Sequence, residues 1–365
     1  MTVSPLFQPF AHPKLKLRNR IVMAPMTRKR SPDGVPGEDV AAYYRRRGEG
    51  GVGLILSEGV GIRRNGSRTD KAVPNLFGDE ALAGWQRVVD GVKPTGARFA
   101  PQLWHVGARS DDTTKELPDP PIDSPSGMPW PGTTVAEPMT DEAIADTIAA
   151  YAEAAGNAAW LGCDAVEIHG AHGYLIDQFL WDATNLRSDG WNGPTLKERA
   201  RFAAEVVKAM RKAVGPDFPI LIRISQDKSP DGSIRLADTP DELELLVGVL
   251  VDAGVDVIHC SGARFSRREF EGSDLSFAGW VRKLGGVPTI AVGTVGLDVP
   301  PKTPLFAALA PAALDDVERR LDAGEFDLVA VGRALLADPE WANKVREGRT
   351  AELVGFDPKY LAELH

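Results

Sequence analysis

The stretch DEAIADTIAAYAEAAGNAAWLGCDAVEIHG (141–170) decides the fold. Residues 141–162 carry a helix-like pattern, and 163–170 then switch to a short apolar run ending in a polar residue and a glycine. That is the mark of a strand buried on both faces. Working outward, the same unit recurs. Strand-like runs are RIVMAPM (20–26), VGLILSEG (52–59), RFAPQLWHVG (98–107), PILIRIS (219–225), VDVIHCSG (255–262), TIAVGTV (289–295) and FDLVAVGR (326–333). Helix-like patterns lie between them at 80–92, 196–215 and 240–254. Repeated β-then-α units predict an α/β chain folded as one (β/α)8 TIM barrel, with an N-terminal extension and loop insertions, in preference to an open doubly wound sheet. The Pro-rich stretch LPDPPIDSPSGMPWPG (117–132) sits inside the third βα connection and divides no domains.

Composition bounds the function. Of 365 residues, 43% are hydrophobic and 25% charged, ordinary values for a globular protein. A net charge of -9 and a pI near 5.3 argue against a nucleic acid or an anionic membrane as partner. Two cysteines, Cys163 and Cys260, make neither a disulfide framework nor a Cys cluster for zinc or iron–sulfur, and read as buried small residues. The N-terminus lacks the apolar core of a signal peptide, and a cytoplasmic location is expected. The runs RKR (28–30) and RRR (45–47) read as solvated faces. His105 and His259 read as structural, and His12 and His365 as solvated.

In such a barrel the loops after each strand converge on one face, and chemistry collects there. Polar or conformationally special residues stand at seven strand ends: Pro25, Met26 and Thr27; Ser57, Glu58 and Gly59; Gln102 and Trp104; His169, His172 and Tyr174; Arg223; Gly293; Gly332 and Arg333. The run EIHGAHGYLIDQFL (167–180) puts two of the six histidines three residues apart, with a tyrosine two further on. A site that holds a polar atom and then hands over a proton has use for such a group. A metal would need a third ligand, and none stands nearby. A barrel lyase or aldolase would want a Schiff-base lysine at a strand end, and none is found there. A ligand-binding sensor or storage protein would have no need of Tyr174.

Six motifs in order, NRIVMAPMTR (19–28), GLILSEG (53–59), PQLWHVG (101–107), DAVEIHGAHGYLIDQFL (164–180), IRIS (222–225) and VGRALLADPEW (331–341), resemble the old yellow enzyme family. The resemblance implies one FMN-binding domain over residues 1–365, with non-covalent FMN and NADPH or NADH as hydride donor. It puts Pro25, Met26 and Thr27 along the flavin ring and Gln102 at its pyrimidine edge. Gly59 would leave space for that ring, Arg223 would supply a cation beside N1 and O2, and Gly293, Gly332 and Arg333 would hold the phosphate. His169 and His172 would bind the carbonyl oxygen of an activated alkene, Tyr174 would protonate the α-carbon, and Trp104 would complete the substrate site. Quinones, nitroaromatics and nitrate esters are alternative acceptors on the same site. Thr27 stands where one branch of the family has cysteine. His-Xaa-Xaa-His replaces the His-Xaa-Xaa-Asn of other members. The connection SGARFSRREFEGSD (261–274) is expected to form a mobile cover. Larger relatives add an iron–sulfur cluster and nucleotide-binding domains, so the likeness to them is expected to stop at the barrel. A monomer or a homodimer is expected.

Overall fold

Apolar runs buried on both faces build a closed barrel in the computed structural model, which describes residues 4–110, 114–228, 233–300, 303–304 and 307–365. A hairpin of β1 (Phe10–Ala11) and β2 (Lys16–Leu17) precedes the barrel. The barrel strands are β3 (Ile21–Met23), β4 (Leu54–Gly61), β5 (Arg98–Trp104), β6 (Val166–Gly170), β7 (Ile220–Ser225), β8 (Val257–Ser261), β9 (Thr289–Val292) and β10 (Leu328–Val331). They pair in parallel in chain order, and β10 closes on β3 through Val329 beside Ile21. Seven of the eight runs read from the sequence contain one of these strands, and the run at 52–59 overlaps the other, β4. Most are shorter than the run, but β4 continues to Gly61 past an irregularity between Leu56 and Gly59.

The helices are α1 (Glu38–Glu49), α2 (Asp79–Val92), α3 (Asp141–Trp160), α4 (Leu175–Leu180), α5 (Leu196–Arg199), α6 (Arg201–Val214), α7 (Pro240–Ala253), α8 (Phe277–Gly285), α9 (Asp315–Asp322), α10 (Arg333–Ala337) and α11 (Trp341–Arg346). Local chemistry starts and stops them. Thr239 accepts the Glu242 N–H at the start of α7, Pro240 occupies its first turn, and Gly254 ends it in the left-handed region. The pattern at 196–215 forms two segments, α5 and α6, that meet at Ala200.

Two apolar layers result. Outward-facing strand residues such as Ile55, Phe99, Ile168, Ile222 and Val329 pack under the helices. A second cluster, with Leu54, Leu56, Ala100, Ala165, Leu221, Val257, Ile290 and Leu328, fills the barrel, and Phe10, Leu15 and Leu17 of the hairpin segment join it. Further along the same strands the inward positions turn polar: Gln102, Glu167, Arg223 and His259. The barrel is thus apolar near the hairpin and charged toward the ends of its strands, where the loops meet. Among the described residues no helix is long and apolar enough to cross a membrane.

Candidate active site

A cavity of about 520 Å³ opens at the C-terminal ends of the strands. Pro25, Met26, Thr27, Gly59, Gln102, Trp104, His169, His172, Tyr174, Arg223, Gly293, Gly332 and Arg333 all line it. Residues from seven strand ends therefore face one space. The eighth end also contributes: Ser261 at the end of β8 lines the cavity with Gly262 and Ala263. The sequence reading leaves this strand end out, because a small hydroxyl residue before a glycine carries no distinctive pattern. Phe356 and Leu361, distant in sequence from every strand, complete the wall.

The histidine pair is built by the turn after β6. His172 and Gly173 both take left-handed backbone, with φ of 60° and 75°, and this reverses the chain into α4. Glycine adopts that region freely; histidine there costs energy, so the surrounding contacts must fix the turn. The turn is held from several sides. The His172 N–H donates to Ser225 Oγ at 3.0 Å, and Arg109 donates to the His172 carbonyl at 2.9 Å. The Gly173 N–H donates to Asp177 at 2.7 Å, and Asp177 is ion-paired with the fully buried Lys228. The two imidazoles stand edge to face, with ring centroids 5.2 Å apart. Tyr174 packs edge-on to His169 at 4.9 Å and to Trp104 at 5.1 Å.

Electrostatics keep both histidines neutral. Burial, reinforced by the cation of Arg223, holds each well below the usual histidine range. His169 Nδ1 accepts the Ala171 N–H at 3.3 Å, so its proton resides on Nε2. His172 Nε2 lies 2.8 Å from Ser261 Oγ, which also accepts from Arg223 at 3.0 Å. Arg223 Nε is buried with no partner among the described residues. Gln102 gives one amide N–H to Glu167 at 2.8 Å, leaving its second N–H and its oxygen for the cavity. The other Glu167 oxygen meets His259 at 2.8 Å, and both residues are fully buried. His259 is structural in this sense, as is His105, which binds the buried Asp123 at 3.0 Å and so anchors the Pro-rich connection.

One sequence expectation is corrected, that of the solvated basic runs, and Gly59 keeps its place in the cavity lining. The side of Gly59 that a Cβ would occupy is packed by protein. A Cβ there would lie 2.8 Å from Trp104 Cε3, so the glycine makes way for the indole. Arg28 and Arg47 are not part of solvated faces. Arg28 is 5% exposed and donates to the carbonyls of Tyr360 and Glu363 at 3.0 and 2.7 Å. Arg47 is fully buried, donates to the Leu335 carbonyl at 3.0 Å and to that of His365, and stacks 3.8 Å from the Tyr43 ring. Their partners are carbonyls far along the chain, which no local charge pattern reveals. Glu58 has no assigned role in the sequence reading. One of its oxygens accepts the N–H groups of Arg28 and Lys29 at 2.8 and 3.2 Å, which fixes the strand segment behind Thr27. Its other oxygen is buried without a partner among the described residues, and burial pushes the carboxyl up to about 7.

Gly293 is constrained by close approach, since a Cβ would sit 2.5 Å from the Gly262 carbonyl oxygen. At Gly332 a Cβ would make only ordinary contacts, with Met26 and Ala24. The connection after β8 is pinned by Arg267–Asp227 at 2.6 Å and by Arg235–Glu269. Among the described residues no group of three or more His, Cys, Asp or Glu side chains is placed to hold a metal. The cavity thus gathers two neutral imidazoles, a tyrosine, an arginine and a glutamine with a spare donor and acceptor.

A family model described as NADH:flavin oxidoreductase / NADH oxidase matches residues 5–352. The chain is 34% identical over 349 residues to an NADH oxidase of Thermoanaerobacter brockii, covering 93% of this chain and 50% of that one, so it spans about half the length of that relative. It is 32% identical to an NADPH dehydrogenase of Clostridium acetobutylicum, with 92% of each chain covered. Among solved structures, morphinone reductase in complex with tetrahydroNAD superposes with a TM-score of 0.79 at 30% identity, covering 98% of this chain and 93% of the other.

Proposed function

We propose that this chain, which belongs to the NADH:flavin oxidoreductase / NADH oxidase family, is an FMN-dependent ene-reductase of the old yellow enzyme kind. Residues 1–365 would act as one FMN-binding domain, taking hydride from NADPH or NADH and reducing α,β-unsaturated carbonyl or nitro compounds. The observation that carries this reading is the convergence of two neutral imidazoles and Tyr174 on the cavity that Arg223 and Gln102 also line.

The lining fits FMN. The unpartnered Arg223 Nε is a buried donor in need of an acceptor. The Gln102 amide keeps a donor and an acceptor for a ring edge that alternates the two. Pro25, Met26 and Thr27 would flank the ring, and Gly293, Gly332 and Arg333 would hold the phosphate. Bound FMN would supply the hydride that reaches the substrate's β-carbon. The protein's own work is then positional and electrostatic. His169 and His172 donate to the substrate oxygen, where negative charge grows as the β-carbon is attacked. Donors already aimed there lower the barrier without reorganising. Tyr174 gives its hydroxyl proton to the α-carbon. Trp104, wedged against Gly59, fixes the Tyr174 ring from one side and His169 from another.

The test is direct. The purified protein should be yellow, denaturation should release the colour into the supernatant, and NADPH should be oxidised in the presence of cyclohexenone. A colourless protein that FMN does not reconstitute, or a flavoprotein that reduces quinones and nitroaromatics but neither an enone nor a nitroalkene, would contradict the proposal.

A further inference from the structure

We propose that Ser261 is a positioning residue that fixes His172 in its Nδ1–H form, so that both histidines present an N–H to the cavity. This rests on the carbonyl-binding reading above and deepens it, because a neutral imidazole has one proton and is a donor on one side only.

The hydrogen bonds around Ser261 determine where that proton goes. Arg223 has no acceptor to offer, so its contact at 3.0 Å makes Ser261 Oγ the acceptor. The serine proton is then free, and His172 Nε2 at 2.8 Å is the acceptor in reach. An Nε2–H on His172 would instead fill both lone pairs of the hydroxyl oxygen and leave the serine proton without a partner among the described residues. A hydroxyl already accepting from a cation is also a stronger donor. The chain of donors therefore runs from Arg223 to Ser261 to His172, and His172 Nδ1 carries the proton. The choice of nitrogen follows from the bond the other nitrogen makes.

The rest of the residue cannot compensate. The His172 N–H is held by Ser225 and its carbonyl by Arg109, so only the ring is free to turn. At His169 the same job is done by backbone, since Nδ1 accepts the Ala171 N–H and Nε2–H is left over. One histidine thus takes its proton state from the main chain and the other from a hydroxyl on the neighbouring part of the barrel. The arrangement also couples the flavin-side cation to the substrate-side donor through a single oxygen atom.

The experiment uses FMN-reconstituted protein labelled with ¹⁵N-histidine, with the His172→Asn spectrum assigning the His172 ring. Nitrogen–proton correlation spectra should find the wild-type His172 protonated at Nδ1 and accepting at Nε2. Ser261→Ala should move the ring toward the Nε2–H form, and Ser261→Thr, which keeps the hydroxyl, should preserve the wild-type pattern. In parallel, 4-chlorophenol binding, followed by its long-wavelength absorption with the oxidised flavin, should weaken about tenfold in Ser261→Ala, the scale of one neutral hydrogen bond, and recover in Ser261→Thr. A wild-type ring protonated at Nε2, or an Ala variant that keeps Nδ1–H, would overturn the proposal. Wild-type protein with the expected spectrum but no phenol binding would support the Ser261 assignment and count against the carbonyl-binding reading.

Discussion

Replacing His172 with asparagine, glycine and alanine separates its donor role from its backbone role. The residue sits at φ of 60°, where a side chain with Cβ is strained by roughly 1–2 kcal/mol. Asparagine tolerates this region and offers an N–H, so His172→Asn should keep both the turn and most of the activity. Glycine relieves the strain but has no donor. Alanine lacks the donor and keeps the strain, so it should be less stable than the glycine variant by about 1 kcal/mol. In the half-reaction with alkene, glycine and alanine should be equally poor. Each should lose about 10²-fold or more relative to wild type, roughly 2.7 kcal/mol, the usual cost of one oxyanion donor. Thermal melts report the stability order, and stopped-flow reoxidation by cyclohexenone reports the activity order. If activity follows stability, with glycine close to asparagine, His172 acts through the turn and the donor argument is refuted.

Gly59→Ala should drive its Cβ into the Trp104 indole, 2.8 Å away, costing about 1–3 kcal/mol and impairing alkene reduction more than flavin binding, since Trp104 supports Tyr174. Melting temperature and flavin content measure the two effects separately. Glu58 gives a pH signature. Its folded pKa, about 7, lies above the ordinary value of 4.5, so the stability it lends is present below that value and is lost as pH rises through 7. The full effect is on the order of 3 kcal/mol. Glu58→Gln should therefore gain on wild type in melts run from pH 5 to pH 8; a constant difference across that range would show that the carboxyl does not titrate there.

The barrel was legible because its strands are apolar runs with turn residues between them, and burial on both faces leaves few other places for such runs. The order of the motifs located the mouth, and the strand-end residues assigned to the flavin and the substrate all line the same cavity, while Ser57 and Glu58 at the second strand end do not. What the sequence could not convey is contact across the barrel. Ser261 matters only because Arg223 and His172 converge on it, from another strand and another loop. Arg28 and Arg47 look like any basic run until the carbonyls of residues 335–365 fold onto them. Gly59 shows the same limit: the sequence marks a missing side chain, while the packing decides that Trp104 fills the space.

The most direct test of the central claim is Tyr174→Phe, measured by stopped-flow in each half-reaction. The phenyl ring keeps the edge contacts with Trp104 and His169, and only the hydroxyl is lost. If Tyr174 is the proton donor to the α-carbon, flavin reduction by NADPH should proceed as in wild type while reoxidation by cyclohexenone slows by about 10²–10⁴-fold. Equal losses in both half-reactions would mean that Tyr174 orders the cavity without donating the proton, and the mechanism proposed for this site would be wrong.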